Sequence, residues 1–174
     1  MRALGPGSVS SFLKIILDVV FAALWIALGA VALVLLATLL FSFNPDLLPA
    51  ALTANVATVA RRGPLLAGAL LGFGLSIGGV LVIVHSLRQI FETLTAGDPF
   101  HPRNVRRLRL IGLMLAVLEL GRYAVWGVSP FMPWVKDVRP DFSLTSWFSV
   151  LVVFVLAEVF REGARLRREA ELTI

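Results

Sequence analysis

VVFAALWIALGAVALVLLATLLFSFNP, residues 19–45, is a run of 27 positions without a charged side chain. A helix needs about 20 residues to cross a hydrocarbon core of about 30 Å, so this run alone is long enough to span a bilayer. A second uncharged run, residues 63–84, holds 22 positions. The chain around them is 58% hydrophobic and 16% charged, with a mean hydropathy of +0.88. Soluble domains are roughly 45–50% apolar and about 25% charged. The apolar residues are bunched rather than spaced as core positions, and a chain of 174 residues is too small to bury both runs in a soluble interior. Backbone amides in lipid must be satisfied within their own segment, which favours helices; the runs do not alternate as barrel strands do. The first run is also longer than the roughly 7–15 apolar residues of a cleaved signal peptide, and reads as a retained span.

Working outward, two further spans emerge. Leu108 to Val128 is apolar apart from Arg109, Glu119 and Arg122, and residues 142–157 are uncharged over 16 positions. The pattern predicts an all-α membrane protein, a bundle of four transmembrane helices near 12–41, 64–95, 103–128 and 143–169, forming a single membrane domain. Lys and Arg give the orientation. Arg2 and Lys14, then Arg88, Arg103, Arg106, Arg107 and Arg109, then Arg161, Arg165, Arg167 and Arg168 fall on one side, eleven in all. Arg61, Arg62, Lys136 and Arg139 fall on the other. The cytosol takes the basic side, so both termini are expected inside, in the plasma (inner) membrane. Trp126, Phe131, Trp134, Phe142 and Trp147 then cluster at the outer interface, where aromatic rings are enriched.

The polar stretch TAGDPFHPRNVRRLRLIG, residues 95–112, becomes the cytoplasmic hinge between the second and third helices, centred on 96–104. Gly97 can end a helix in the left-handed conformation, Asp98 before Pro99 favours a turn, and Pro102 suits the first turn of the next helix. Arg103, Arg106, Arg107 and Arg109 can then reach anionic headgroups, each worth about 1 kcal/mol near the surface, or form a docking surface for a soluble protein.

Gly97, Pro99, Phe100, Asn104, Leu108, Arg109, Ile111 and Gly112 occur in an order that resembles the hallmark of a family of four-helix bacterial membrane proteins known as a domain of unknown function. The tail LAEVFREGARLRREAELTI resembles the family's close, through Phe160, Gly163, Glu171, Leu172, Thr173 and Ile174. The likeness covers nearly the whole chain. It implies a membrane protein encoded beside a small Cro-like helix-turn-helix regulator, and so a role in holding or controlling that regulator. It carries over no catalytic residue.

Ionisable residues inside a membrane are candidate sites. Glu119 and Arg122 are three apart, on one helix face, and can pair. Gly112, Ala116, Tyr123 and Trp126 share that face, which is expected to point into the bundle. The pair is either a structural polar knot or a ligand, ion or proton site. Asp18, His85 and Glu158 lie near the cytoplasmic ends of their helices; Lys14 and Arg161 are placed to neutralise the carboxylates, and the three could meet to bind a divalent cation or relay protons. In the second helix, Gly68, Gly72 and Ser76, and likewise Gly74 and Gly78, recur every four residues, two small-residue faces suited to close packing or to a homo-oligomer. The connection over 44–63 has room for a short interfacial helix.

Several function classes fall away. There is no cysteine, hence no disulfide and no thiolate metal site, and the spacing of His85 and His101 matches no zinc motif. No nucleophile, base and orienting group cluster, and there is no phosphate loop. No enzyme activity and no cofactor are expected. The pI of about 11.0 comes from the topology arginines, and the tail mixes Arg165, Arg167 and Arg168 with Glu162, Glu169 and Glu171. Mixed charge suits a protein partner rather than nucleic acid. The expected function is a regulatory or sensing partner of a cytoplasmic helix-turn-helix regulator; the alternative is a small transporter or channel subunit that uses Glu119 and Arg122.

Overall fold

The computed structural model describes residues 9–43, 53–98, 100–128 and 142–172. Expectations attached to Arg2, Pro99, Phe131, Trp134, Lys136, Arg139, Thr173 and Ile174 lie outside the described residues, as do those that concern the side chains of Arg61, Arg62 and Glu171. Four helices follow in order: α1 (Val9–Phe43), α2 (Thr53–Thr95), α3 (Pro102–Val128) and α4 (Leu144–Glu171). There is no strand among the described residues.

The largest difference from expectation is the start of α2. Its N-terminus lies at Thr53, eleven residues before 64, and the helix runs through Pro64. Proline removes the one hydrogen bond its own N–H would make and crowds the carbonyl four residues back. The preceding segment TANVATVARR contains no other proline and no glycine, so the helix continues on the far side of that single defect. Three segments are long and apolar enough to cross a membrane: Phe12–Phe43, Gly63–Thr95 and Leu144–Ala170. The fourth, α3, does not qualify by composition, because four arginines in its first turns and then Glu119 and Arg122 interrupt it.

The chain divides into two compact units. Residues 22–78 form one. Within it α1 and α2 approach closely at Gly63, where a β-carbon would strike the Ser42 side chain, and at Gly74, where it would lie 3.6 Å from Val31 Cγ1. The other comprises residues 1–21 and 79–174. Its core is Ile90, Leu108, Ile111 and Ala157, flanked by Ile83, Leu87, Leu94, Leu115, Val153 and Phe160. Here α3 and α4 pack along one another. Gly112 lets them close, since a β-carbon there would stand 3.1 Å from the Phe154 ring.

The small-residue faces need correction. A β-carbon at Gly68, Gly72 or Gly78 would meet nothing within 4 Å, whereas one at Gly79 would stand 2.9 Å from Leu118 Cδ2. A four-residue repeat puts residues on one face but does not say which face a neighbour covers. The tight approaches along α2 are at Gly63 and Gly79, outside both stripes, and of the stripe glycines only Gly74 touches a neighbour, at ordinary contact distance.

Candidate functional site

The turn between α2 and α3 is built by local chemistry. Gly97 adopts φ +82°, a conformation that costs an L-residue about 1–2 kcal/mol. That reversal lets the Gly97 N–H reach Leu94 O at 3.1 Å and the Asp98 N–H reach Thr93 O at 3.0 Å. Pro102 is the first residue of α3. Before it, His101 acts as the cap: its Nδ1 accepts from the Arg103 N–H at 3.2 Å, and its carbonyl accepts from the Asn104 N–H at 2.8 Å.

Asn104 is fully buried, at 0% exposure. Its Nδ2 donates to Thr93 Oγ1 at 2.7 Å, and that hydroxyl donates to Ile90 O at 2.7 Å. Its Oδ1 accepts from Arg107 Nη1 at 3.1 Å, and the same nitrogen donates to Gln89 O at 2.9 Å. A buried amide of this kind is stable only when its donors and acceptors are met. The network ties the first turn of α3 to the last turns of α2. It also corrects the reading of the arginines as one headgroup-facing set. Arg107 turns inward, and Arg109 stands 3.8 Å from Glu158 Oε2. Arg103 and Arg106 are exposed, with no ion pair among the described residues.

The tail of α4 joins the same place. A β-carbon at Gly163 would lie 2.6 Å from both Cδ1 and Cε1 of Phe100, so the ring occupies the notch that this glycine leaves. Phe100 also meets Phe160, with ring centroids 5.6 Å apart at 53°. Asp98 forms an ion pair with Arg167. Hinge and tail, read separately in the sequence, therefore meet in one constellation. Elsewhere on α4 the charges pair along the helix: Arg161 with Glu158, and Arg165 with Glu162 at 2.6 Å and Glu169 at 3.4 Å. Thr93 and Gln89 were missed as parts of the site, as was the pairing of the tail residue Arg167 with Asp98. They carry no motif, and only tertiary contact reveals them.

Glu119 and Arg122 form a second constellation. Glu119 is 8% exposed. Its Oε1 accepts from Arg122 Nη2 at 2.7 Å and from the Tyr123 hydroxyl at 2.8 Å. Trp147 of α4 donates from Nε1 to the Tyr123 oxygen at 3.2 Å, and Phe142 stacks on the Tyr123 ring with centroids 6.2 Å apart. The pairing expected from the three-residue spacing is present, and α4 closes over it.

Asp18, His85 and Glu158 do not meet. Asp18 Oδ1 lies 2.6 Å from Arg88 Nε, a residue of α2, and not on Lys14. The Arg88 guanidinium is held 4.6 Å above the Phe21 ring, three residues along α1 from the carboxylate, which fixes it in place. His85 Nε2 is 2.9 Å from the Gln89 amide nitrogen and its ring is 5.9 Å from Phe21. Glu158 is engaged by Arg161 and Arg109. Among the described residues no three His, Asp or Glu side chains come together as a metal site would need.

No curated protein and no solved structure matches the chain. Residues 47–174, which take in α2, the turn, α3 and α4, match the family described as "Protein of unknown function (DUF2975)". The chain belongs to that family.

Proposed function

We propose that this is a non-enzymatic membrane protein with four spans and both termini in the cytoplasm of a bacterial cell. Its hinge and tail together hold a soluble helix-turn-helix regulator. The observation that carries this reading is the seating of Phe100 against Gly163 beside the Asp98–Arg167 pair. It makes the two motifs that resemble the regulator-linked family one composite surface. The support for a fourth span is the sidedness of α3. Asn104, Ile111 and Glu119 are buried, while Leu110, Leu113, Val117 and Leu120 are exposed. Within the apolar part of the helix the Glu119 carboxylate turns inward, while Arg103, Arg106 and Arg109 stay exposed near the end that the proposal places at the cytoplasmic surface.

Two experiments test the proposal. The chain has no cysteine, so Ala96→Cys gives a single thiol in the hinge. It should react with a membrane-impermeant maleimide only after the cells are opened; labelling of intact cells refutes the orientation. Crosslinked pull-down from native membranes should then capture a DNA-binding protein with the intact chain and lose it when the chain is cut after Gly163. Unchanged capture after truncation refutes tail docking. The second reading, a small transporter or channel subunit, is favoured by the burial of the Glu119 carboxylate under Arg122 and Tyr123. It predicts solute flux that fails when Glu119 is changed, with partner capture intact.

A further inference from the structure

We propose that α3 carries a binding site for an anionic glycerophospholipid, with Arg103 and Arg106 on the phosphate and Leu110, Leu113, Val117 and Leu120 along an acyl chain. All six side chains are exposed. Their positions step by three and four residues in turn, which keeps them on one stripe of the helix. From Arg106 to Leu120 the stripe rises about 21 Å at about 1.5 Å per residue, somewhat more than one leaflet of a core about 30 Å thick. Charge sits at one end and four large aliphatic side chains follow, the profile of a lipid rather than of a soluble anion.

The neighbouring arginines are already engaged. Arg107 donates to Asn104 and Gln89, Arg109 stands near Glu158, and Arg161 and Arg165 pair along α4. Arg103 and Arg106 have no carboxylate partner among the described residues. Two guanidinium groups one turn apart can hold one phosphate by charge-assisted hydrogen bonds. A choline or ethanolamine headgroup brings its own cation to them, so an anionic headgroup is preferred. The site rests on the reading of α3 as a span, which a topology reporter placed near residue 135 tests separately.

The test uses the full chain purified in a neutral detergent, with native mass spectrometry to count bound phosphatidylglycerol and phosphatidylcholine of equal chain length. The wild type should retain phosphatidylglycerol about thirtyfold more strongly, since two surface arginines at about 1 kcal/mol each supply about that factor. Arg103→Gln with Arg106→Gln should abolish the preference while phosphatidylcholine binding and helical circular dichroism stay unchanged. Arg103→Lys with Arg106→Lys should keep part of it. Soluble glycerol phosphate should not displace the lipid. Equal retention of both lipids by the wild type, or an undiminished preference in the folded Gln variant, overturns the site. Displacement by glycerol phosphate overturns the lipid assignment in favour of a free phosphate. If the regulator binds the wild type and blocks lipid retention through these two arginines, the surface belongs to a protein partner and the lipid proposal fails.

Discussion

Replacing Gly163 by alanine puts a methyl group where the Phe100 ring stands, 2.6 Å from Cδ1 and Cε1. Carbon atoms rest about 3.5–4.0 Å apart, so the ring must withdraw by about 1 Å or leave the notch. Forcing it to stay is an overpacking event, costing about 1–3 kcal/mol. Leaving is open to it, because Phe100 is 38% exposed and sits in a turn. The loss is then the buried part of a phenyl contact, about 1–2 kcal/mol. Against this, alanine is better than glycine inside a helix by about 0.8–1.0 kcal/mol. Gly163→Ala alone should therefore range from neutral to destabilising by about 1–2 kcal/mol. The informative measurement is the double-mutant cycle. With Phe100→Ala the methyl meets open space, only the helical preference remains, and Gly163→Ala should stabilise by about 1 kcal/mol. Thermal unfolding in detergent of the wild type, both single variants and the double variant gives the coupling, expected at about 1–3 kcal/mol. If Gly163→Ala has the same effect in both backgrounds within about 0.5 kcal/mol, the ring does not occupy the notch and the joined hinge and tail are wrong.

Asn104→Ala should destabilise by about 1–3 kcal/mol, because it removes the fully buried amide that donates to the half-buried Thr93 hydroxyl and accepts from Arg107; denaturant unfolding in detergent reads it. Arg167→Ala should cost less than 1 kcal/mol, as both ends of its pair with Asp98 are partly exposed and such pairs are worth about 0.2–1 kcal/mol. A larger loss than from Phe100→Ala would mean that charge, not the ring, holds the tail. Glu119→Gln keeps an acceptor for Tyr123 but leaves Arg122 without its counter-charge. Partner capture should be unchanged, and the thermal midpoint should fall more than for Glu119→Asp. A chain ended after Val128 lacks α4, and a topology reporter fused there should remain in the cytoplasm, whereas the same reporter in the full chain near residue 135 should be outside.

The apolar runs made the helices legible. Residues 19–45 and 63–84 need no context to be recognised, and Gly97 and Pro102 mark ends that depend on backbone geometry alone. The Glu119–Arg122 pair was legible for the same reason, since helical spacing dictates it. What stayed hidden depends on neighbours. Asn104 reads as one more polar hinge residue until Thr93 and Arg107 surround it. Arg107 reads as a topology charge until Gln89 takes it inward. Phe100 and Gly163 are far apart in the chain, and nothing in either motif says that one is the knob and the other the hole. The partner of Asp18 shows the same limit: Lys14 was the local choice, but the guanidinium fixed over Phe21 came from another helix.

Why three helices qualify as spans by composition while α3 does not follows from where its polar groups go. On an insertion scale each charge at a helix centre costs about 2.5–3.5 kcal/mol, and each Leu, Ile or Val returns about 0.3–0.6 kcal/mol. Residues 108–128 hold ten Leu, Ile or Val, so Glu119 and Arg122 offset nearly all of the gain for α3 alone. Such a scale treats each residue as though it faced lipid. In the folded chain the carboxylate accepts two hydrogen bonds, and Trp147 of α4 reaches the tyrosine that supplies one of them. The carboxylate is thus met within α3 itself, by Arg122 and Tyr123, and α4 adds Trp147, which holds the tyrosine in place. If α3 spans, as proposed, its contacts with α4, with Gly112 against Phe154, favour entry of the two as a hairpin. On the proposed reading of α3 as a fourth span, its own polar pair and its partner helix together specify it, which a hydropathy average taken along one helix at a time does not register.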